Sequence, residues 1–192
     1  MATIHTGTTL VPGKLELLTE WLPRQPWYRD AGAPPQLGRA GGFRLDDPTG
    51  EVGIEFMVVT DVAGEQETAY LVPMTYRSAP LEGADAALIG TTEHGVLGTR
   101  WVYDGERDPV AVTQLLAFAA GRVEAQHQSR SDTTDPSVGR TWPSGTDPRG
   151  DVWMHLVRVL GDQDADGPGA VEVDWTRSDG TIARGTVAVV RS

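Results

Sequence analysis

Residues 17–32, LLTEWLPRQPWYRDAG, combine large aromatic side chains with prolines in one short stretch. The aromatic residues and prolines are Trp21, Pro23, Pro26, Trp27 and Tyr28. Proline fixes φ, lacks an amide hydrogen and biases the preceding residue toward extended geometry, so a helix that reaches Trp21 should end just after it. Other apolar surface must cover the rings. We therefore expect a stiff aromatic segment on which the N-terminal half of the chain closes.

Two helices are predicted. Residues 11–22 place leucines at helical spacing. The second helix has clear end signals, because Asp108 can cap it, Pro109 suits its first turn and Gly121 lies just past its end.

The other apolar segments predict strands joined by hairpins, with a strong turn signal at Asp179-Gly180. The predicted strands are residues 51–62, 68–76, 86–93, 97–103, 152–160, 170–177 and 181–190. Residues 30–42, rich in Gly, Ala and Pro, are predicted to be a loop. Because hairpins rather than βαβ units connect the strands, the pattern predicts an α+β fold with a mostly antiparallel sheet.

A chain of 192 residues fits one well-buried domain, or a domain with an extension. We predict a first domain at 1–125, a polar loop at 126–150 and C-terminal strands at 151–192. Three strands alone make a poor core, so we expect these last strands to continue the same sheet.

Composition excludes several functional classes. A net charge of −11 argues against nucleic acid or an anionic membrane surface as partner. The absence of cysteine excludes disulfides, zinc–thiolate sites and a cysteine nucleophile. No apolar run reaches the roughly 18 to 20 residues of a membrane span, and no signal-peptide pattern begins the sequence. We expect a cytoplasmic protein.

The aromatic segment carries a family resemblance. Residues 21–28, WLPRQPWY, are similar to the WLPRQRWF motif of the N-terminal cap domain of actinobacterial maltokinases. Further matches are YLVP at 70–73, ALIG at 87–90 and VYDGERDP at 102–109, and the resemblance covers about 14–125. It implies a cystatin-like curved antiparallel sheet packed on a helix, here with extra C-terminal antiparallel strands.

The chain also departs from that family. Pro26 stands in place of an arginine, and residues 29–32, RDAG, replace a basic glycine turn. Maltokinases continue through nucleotide-binding and catalytic lobes, which residues 126–192 do not resemble. Phosphoryl transfer of this class needs a strand lysine and an asparagine magnesium ligand, whereas this chain has no Asn, no phosphate loop, and a single lysine, Lys14, that precedes the strands. We predict no catalytic residues, no metal site and no cofactor.

Residues 162–167, DQDADG, resemble the start of a calcium loop, but position 12 of that loop is Val173 rather than the bidentate Glu. A solvated hairpin loop is the preferred interpretation.

The resulting hypothesis is a stand-alone, non-catalytic cap-like protein that binds a partner protein or a carbohydrate in actinobacterial sugar metabolism (maltose, α-glucan or aminosugar). Two alternatives remain open: an accessory subunit docking in trans on a sugar kinase, and a small enzyme using His127, His155 and nearby carboxylates. The implied partner is a sugar kinase or another glycan-metabolism protein, and a homo-oligomer through an exposed strand edge fits every alternative.

Aromatic rings can stack on sugar C–H groups and arginines can bind anions, although core packing and surface ion pairs are the competing interpretations. The predicted binding residues are Arg24, Trp27, Tyr28, Arg29 and Trp142.

Overall fold

The computed structural model describes residues 10–130, 132–148, 150–161 and 167–191. The helices are α1 (Lys14–Trp21) and α2 (Pro109–Ala119). The strands are β1 (Leu10–Val11), β2 (Leu37–Leu45), β3 (Gly53–Asp61), β4 (Thr68–Arg77), β5 (Leu88–His94), β6 (Gly98–Asp104), β7 (Gln126–His127), β8 (Gly139–Thr141), β9 (Trp153–Leu156), β10 (Val159–Leu160), β11 (Gly169–Thr176) and β12 (Ile182–Arg191). Short 3-10 turns occupy Leu22–Arg24, Asp85–Ala87 and Gly105–Arg107.

Local end signals determine both helices. The helix α1 ends at Trp21, as predicted, and is followed by a 3-10 turn, Leu22–Arg24, that the sequence did not indicate. At the start of α2 the Asp108 side chain accepts a hydrogen bond from the Val110 N–H at 3.0 Å. Gly121, past the end of α2, has a φ of 73°. Both predicted helices are thus present, and together with the sheet they define an α+β fold.

The pairings between the described strands are antiparallel and run in the order β1-β5-β6-β4-β3-β2-β11-β12-β9. The late strands β11 and β12 therefore lie in the same sheet as the early ones. Their link to β2 is narrow, with Trp175 opposite Gly41.

Residues 153–160 close part of this sheet into a barrel. Its first half, β9, pairs with β12, and its second half, β10, pairs with β4. Between the halves, the Val157 N–H donates to the Val187 carbonyl and the Leu71 N–H to the Arg158 carbonyl, both at 2.9 Å. One segment is thus hydrogen bonded to both edges of the array β4-β3-β2-β11-β12, which removes two open edges.

Pro73 lies where β4 changes partners. Strand β4 pairs with β10 up to Tyr70 and with β6 from Met74 onward. Proline cannot donate a backbone hydrogen bond, so it is tolerated in a strand only where no ladder bond is needed. At this fork, which we call the β4 fork, β6 and β10 diverge and the missing donor costs little.

Two hydrophobic clusters lie on opposite faces of the sheet. The barrel cluster contains Phe43 and Phe56, whose rings stack at 4.7 Å, together with inward residues of β11 and β12 and the buried face of α2. The outer cluster holds α1 against β3 and β4 through residues such as Leu18 and Trp21. The sequence alternation within the strands explains this division, because successive side chains point to opposite faces.

The loop predicted at residues 30–42 is wrong over its second half, where β2 begins at Leu37. Its glycines reflect tight packing rather than a loop. A Cβ on Gly41 would lie 2.8 Å from the Asp174 carbonyl oxygen of β11, and Gly42 has a φ of 121° beside a bulge in the β2–β3 pairing. Glycine marks a bulge and a close strand approach here.

Candidate functional site

Trp27 lies in the aromatic segment, half-buried among other side chains. Its ring is 5.8 Å from the Trp21 ring and 5.9 Å from the Tyr70 ring, measured between centroids. The Arg158 guanidinium lies 5.1 Å from the Trp27 ring centroid, a cation–π arrangement. The ring therefore packs within the protein and ties the segment to α1, β4 and the barrel-closing residues.

Tyr28 anchors the same segment to the turn after β3. Its hydroxyl donates to Asp61 Oδ2 at 2.9 Å, and its ring lies 5.6 Å from that of Tyr70. Burial and the neighbouring Asp61 carboxylate raise the pKa of Tyr28, so the hydroxyl stays a donor. Asp61 also accepts from the Gln36 N–H at 2.8 Å, which fixes the chain as it enters β2.

Arg24 and Arg29, the remaining predicted residues of this segment, have exposed side chains. The Arg29 backbone N–H donates to the Tyr70 hydroxyl at 3.1 Å. Pro23 and Pro26 are exposed beside them. We call these four residues the segment surface. It combines a backbone fixed by buried aromatic contacts with two accessible arginines.

Trp142 lies away from the aromatic segment. Its indole Nε1 donates to the Thr146 carbonyl at 3.0 Å, and its ring packs against the barrel cluster. In the part of the chain that the structure describes, no ring contact joins Trp142 to Trp27 or Tyr28. The five predicted binding residues therefore do not form one site.

The structure does not bring the two histidines together. His127 lies on β7, opposite Phe43 of β2, whereas His155 is exposed on β9, opposite Val189 of β12, with β11 between β2 and β12. Glu172 of β11 lies opposite Thr186 of β12, not opposite His155. Nowhere in the described ranges do three or more His, Asp or Glu side chains form a metal-binding group. Residues 162–166 of the calcium-like loop lie outside the described residues.

Sequence reasoning missed a buried ionic network around Glu55 of β3. Glu55 Oε2 lies 2.5 Å from Lys14 Nζ and accepts from the Tyr76 hydroxyl at 2.8 Å. Gln128 Nε2 donates to the other oxygen at 3.1 Å. Burial opposes ionisation of Glu55, but Lys14 and Tyr76 outweigh it and hold its pKa below the usual value. Lys14, the only lysine of the chain, thus fastens α1 to the sheet. The sequence signal that could have revealed this network is Glu55 itself, a glutamate inside an otherwise apolar strand.

Two arginines, the partly buried Arg77 and the buried Arg158, flank the β4 fork. Arg77 forms a bidentate salt bridge with Asp108, in which Nε donates to Oδ2 and Nη2 donates to Oδ1, both at 2.7 Å. Although burial favours the neutral acid, the Arg77 guanidinium holds the pKa of Asp108 below its usual range. Arg158 Nη2 reaches both carboxylate oxygens of Asp104 at 2.7 Å and Glu106 at 2.6 Å. These pairs hold the start of α2 and the barrel-closing segment.

Among the described residues no helix is both long enough and apolar enough to cross a membrane.

The fold and these contacts define an α+β protein in which a rigid aromatic segment and one helix cover the outside of an antiparallel sheet. Residues 21–108 match the family model of the maltokinase N-terminal cap domain. The match runs from the last residue of α1 to the N-cap of α2 and confirms the predicted relationship to that cap domain over this part of the chain. No match was found among curated proteins.

Proposed function

We propose that this chain is a non-catalytic, cap-like protein of the cytoplasm that acts by binding a partner protein in actinobacterial sugar metabolism. The partner we propose is a sugar kinase or another glycan-metabolism protein, with the chain docking in trans. In this proposal residues 1–125 form the cap-like unit, and 151–192 extend its sheet. The cystatin-like part is α1 with the sheet face on which it packs.

The match of residues 21–108 to a maltokinase cap domain is the observation that carries this proposal. The residue chemistry agrees with it. The chain has no Asn for a magnesium ligand, and the ammonium group of its single lysine is held by the buried Glu55 carboxylate rather than placed for a phosphate group.

The segment surface is the docking region we propose. Trp27 and Tyr28 hold its backbone through ring contacts and the Asp61 hydrogen bond, so little ordering is required on binding. Arg24 and Arg29 provide accessible positive charge on a chain whose net charge is −11. That contrast favours an acidic partner surface.

A phosphotransfer assay tests the non-catalytic part. The purified chain is incubated with ATP, magnesium and maltose or aminosugars, and we expect no sugar phosphate above the protein-free blank. Sustained turnover by the pure chain, absent from a heat-denatured sample, would refute the proposal.

Co-purification tests the docking part. The tagged chain is recovered from its native host, and we expect a sugar kinase or another glycan-metabolism enzyme among the proteins identified by mass spectrometry. Arg24→Glu should reduce its recovery, whereas Arg122→Glu, at an exposed position after α2, is the matched control and should not. Equal recovery with both variants would exclude the segment surface.

A further inference from the structure

An open pocket of about 460 Å³ lies at one end of the barrel. Residues 36–39 at the start of β2, Thr60 and Val62 at the end of β3, and residues 176–178 after β11 line it. It lies where β2 and β11 separate, because their pairing at Gly41 and Trp175 is not continued toward Arg39 and Arg177. The volume falls within the range of about 300 to 1,000 Å³ typical of small-ligand sites.

Strand alternation shows which side chains face this pocket. Val58 and Trp175 are buried in the barrel cluster. Side chains two positions further along a strand lie on the same face, which places Thr60 and Val62 beyond Val58, and Arg177 beyond Trp175. The pocket, which we call the barrel mouth, therefore lies at the end of the barrel where β2 and β11 diverge, and barrel ends are a common position for ligand sites. Its rim also includes residues of the outer face, because Leu37 packs against the outer cluster and Thr176 alternates with Trp175.

The chemistry of the lining is polar and carries positive charge. The lining residues with amide or hydroxyl side chains are Gln36, Thr60, Thr176 and Ser178. The apolar ones are Val62 and Leu37, and Leu37 also packs against the outer cluster. The charged lining residues are both arginines, Arg39 and Arg177, although the whole chain carries a net charge of −11. Hydroxyl-rich ligands with one anionic group match such a lining.

Arg177 is the less restrained of the two arginines. The Arg39 guanidinium donates to Gln128 Oε1 at 3.0 Å, whereas Arg177 forms no ion pair within 4.0 Å among the described residues and interacts with the exposed Asp179 carboxylate at longer range. The Arg177 backbone is fixed, because its N–H donates to the Thr181 carbonyl at 2.8 Å. The neighbouring Ser178 N–H donates to Glu67 at 2.6 Å, which ties the turn to the β3–β4 connection.

We propose that the barrel mouth binds a polyhydroxylated anion of monosaccharide size, with the Arg177 guanidinium on its anionic group. The side chains of Gln36 and Thr60 pair with its hydroxyl groups, and Val62 covers a C–H face. A phosphorylated sugar and a sugar acid share this chemistry. The site is separate from the segment surface, so it does not rest on the docking function proposed above.

Calorimetric titration of the full chain tests the proposal with four probes: glucose 6-phosphate, glucuronate, glucose and inorganic phosphate. We expect saturable binding of one or both sugar anions, and at least about tenfold weaker binding of glucose and phosphate, since each lacks half of the recognised chemistry. The stronger of glucose 6-phosphate and glucuronate identifies the source of the anionic group.

Variants locate the site. Arg177→Gln should weaken binding of the sugar anion about tenfold or more, and Arg122→Gln, the matched control on an exposed arginine, should not. Val62→Trp, which fills the exposed wall, should also abolish binding, and circular dichroism checks that each variant is folded. Equal binding of glucose or phosphate, unchanged affinity in a folded Arg177→Gln or Val62→Trp, or no binding of either sugar anion would overturn the proposal.

Discussion

Replacing Arg158 by methionine tests how the barrel is closed. Arg158 is 7% exposed and pairs with Asp104 and Glu106, while its backbone carbonyl accepts the Leu71 N–H at the β4 fork. Methionine fills a similar volume and leaves that backbone bond possible. The substitution therefore removes the ion pairs with Asp104 and Glu106 and the cation–π contact with Trp27.

The structure contains opposing contributions to the free energy of unfolding. Removing one partner of a buried ion pair costs about 3 to 5 kcal/mol, because the other charge stays buried and unpaired. Against this, Arg158 Nε and Nη1 are buried without a partner among the described residues, which already costs the native state about 1 to 3 kcal/mol. The cost of the single substitution thus exceeds the net contribution of the pair. Arg158→Met should lower the free energy of unfolding by about 3 kcal/mol or more.

Urea denaturation followed by tryptophan fluorescence measures this change. The double variant Arg158→Met with Asp104→Asn should recover to within about 1 kcal/mol of the wild type, since the carboxylate that remains, Glu106, is 43% exposed and can be hydrated. Arg184→Met is the matched control, because Arg184 also contacts two carboxylates but is 43% exposed and should cost less than about 1 kcal/mol. A loss below about 1 kcal/mol for Arg158→Met would refute the reasoning.

Three further predictions concern stability. Gly42→Ala should lower the free energy of unfolding by about 3 kcal/mol or more in thermal denaturation, because the φ of Gly42 is 121° and the new Cβ would meet the Phe56 carbonyl. Gly50→Ala, with open space around the new Cβ, should cost about 1 kcal/mol. Similar losses for the two variants would contradict this account. The pKa of Asp108 is lowered, so its stabilising contribution is present above about pH 4 and is lost as the pH falls through the folded-state pKa. In urea titrations at a series of pH values, Asp108→Asn should therefore lose less stability on acidification than the wild type. An unchanged dependence of the free energy of unfolding on pH would contradict this prediction. Trp27→Ala should cost about 2 kcal/mol in urea denaturation, and no loss would instead indicate a ring free for a ligand.

Features that depend on neighbouring residues in the chain could be predicted from the sequence. The helix α2 shows this best, because Asp108, Pro109 and Gly121 mark its ends by their own backbone preferences. The end of α1 before Pro23 follows for the same reason. Alternation identified most strands, and the turn at Asp179-Gly180 joins β11 to β12.

Features that depend on partners far away in the chain could not be predicted from the sequence. Residues 152–160 were predicted as one strand, but the structure divides them at Val157 and Arg158, and each half pairs with a different strand. Alternation gives the faces of a strand and says nothing of which edge it will meet. Strand β2 was missed because Gly41 and Gly42 are explained only by the strands that approach them.

The candidate site likewise has one part that the sequence predicts and another that it does not. The sequence located the aromatic segment, whose family match is confirmed. It did not supply the partners that hold the rings, since Asp61, Tyr70 and Arg158 come from three separate parts of the chain. The barrel mouth depends on the divergence of β2 and β11, which no local pattern marks.

Calorimetric titration of the pure chain into purified nucleotide-binding and catalytic lobes of a maltokinase tests the central claim, that this chain binds a partner protein and is not itself a catalyst. We expect saturable binding that weakens with Arg24→Glu and is unchanged with Arg122→Glu. No binding to folded lobes, or equal binding by both variants, would contradict the account.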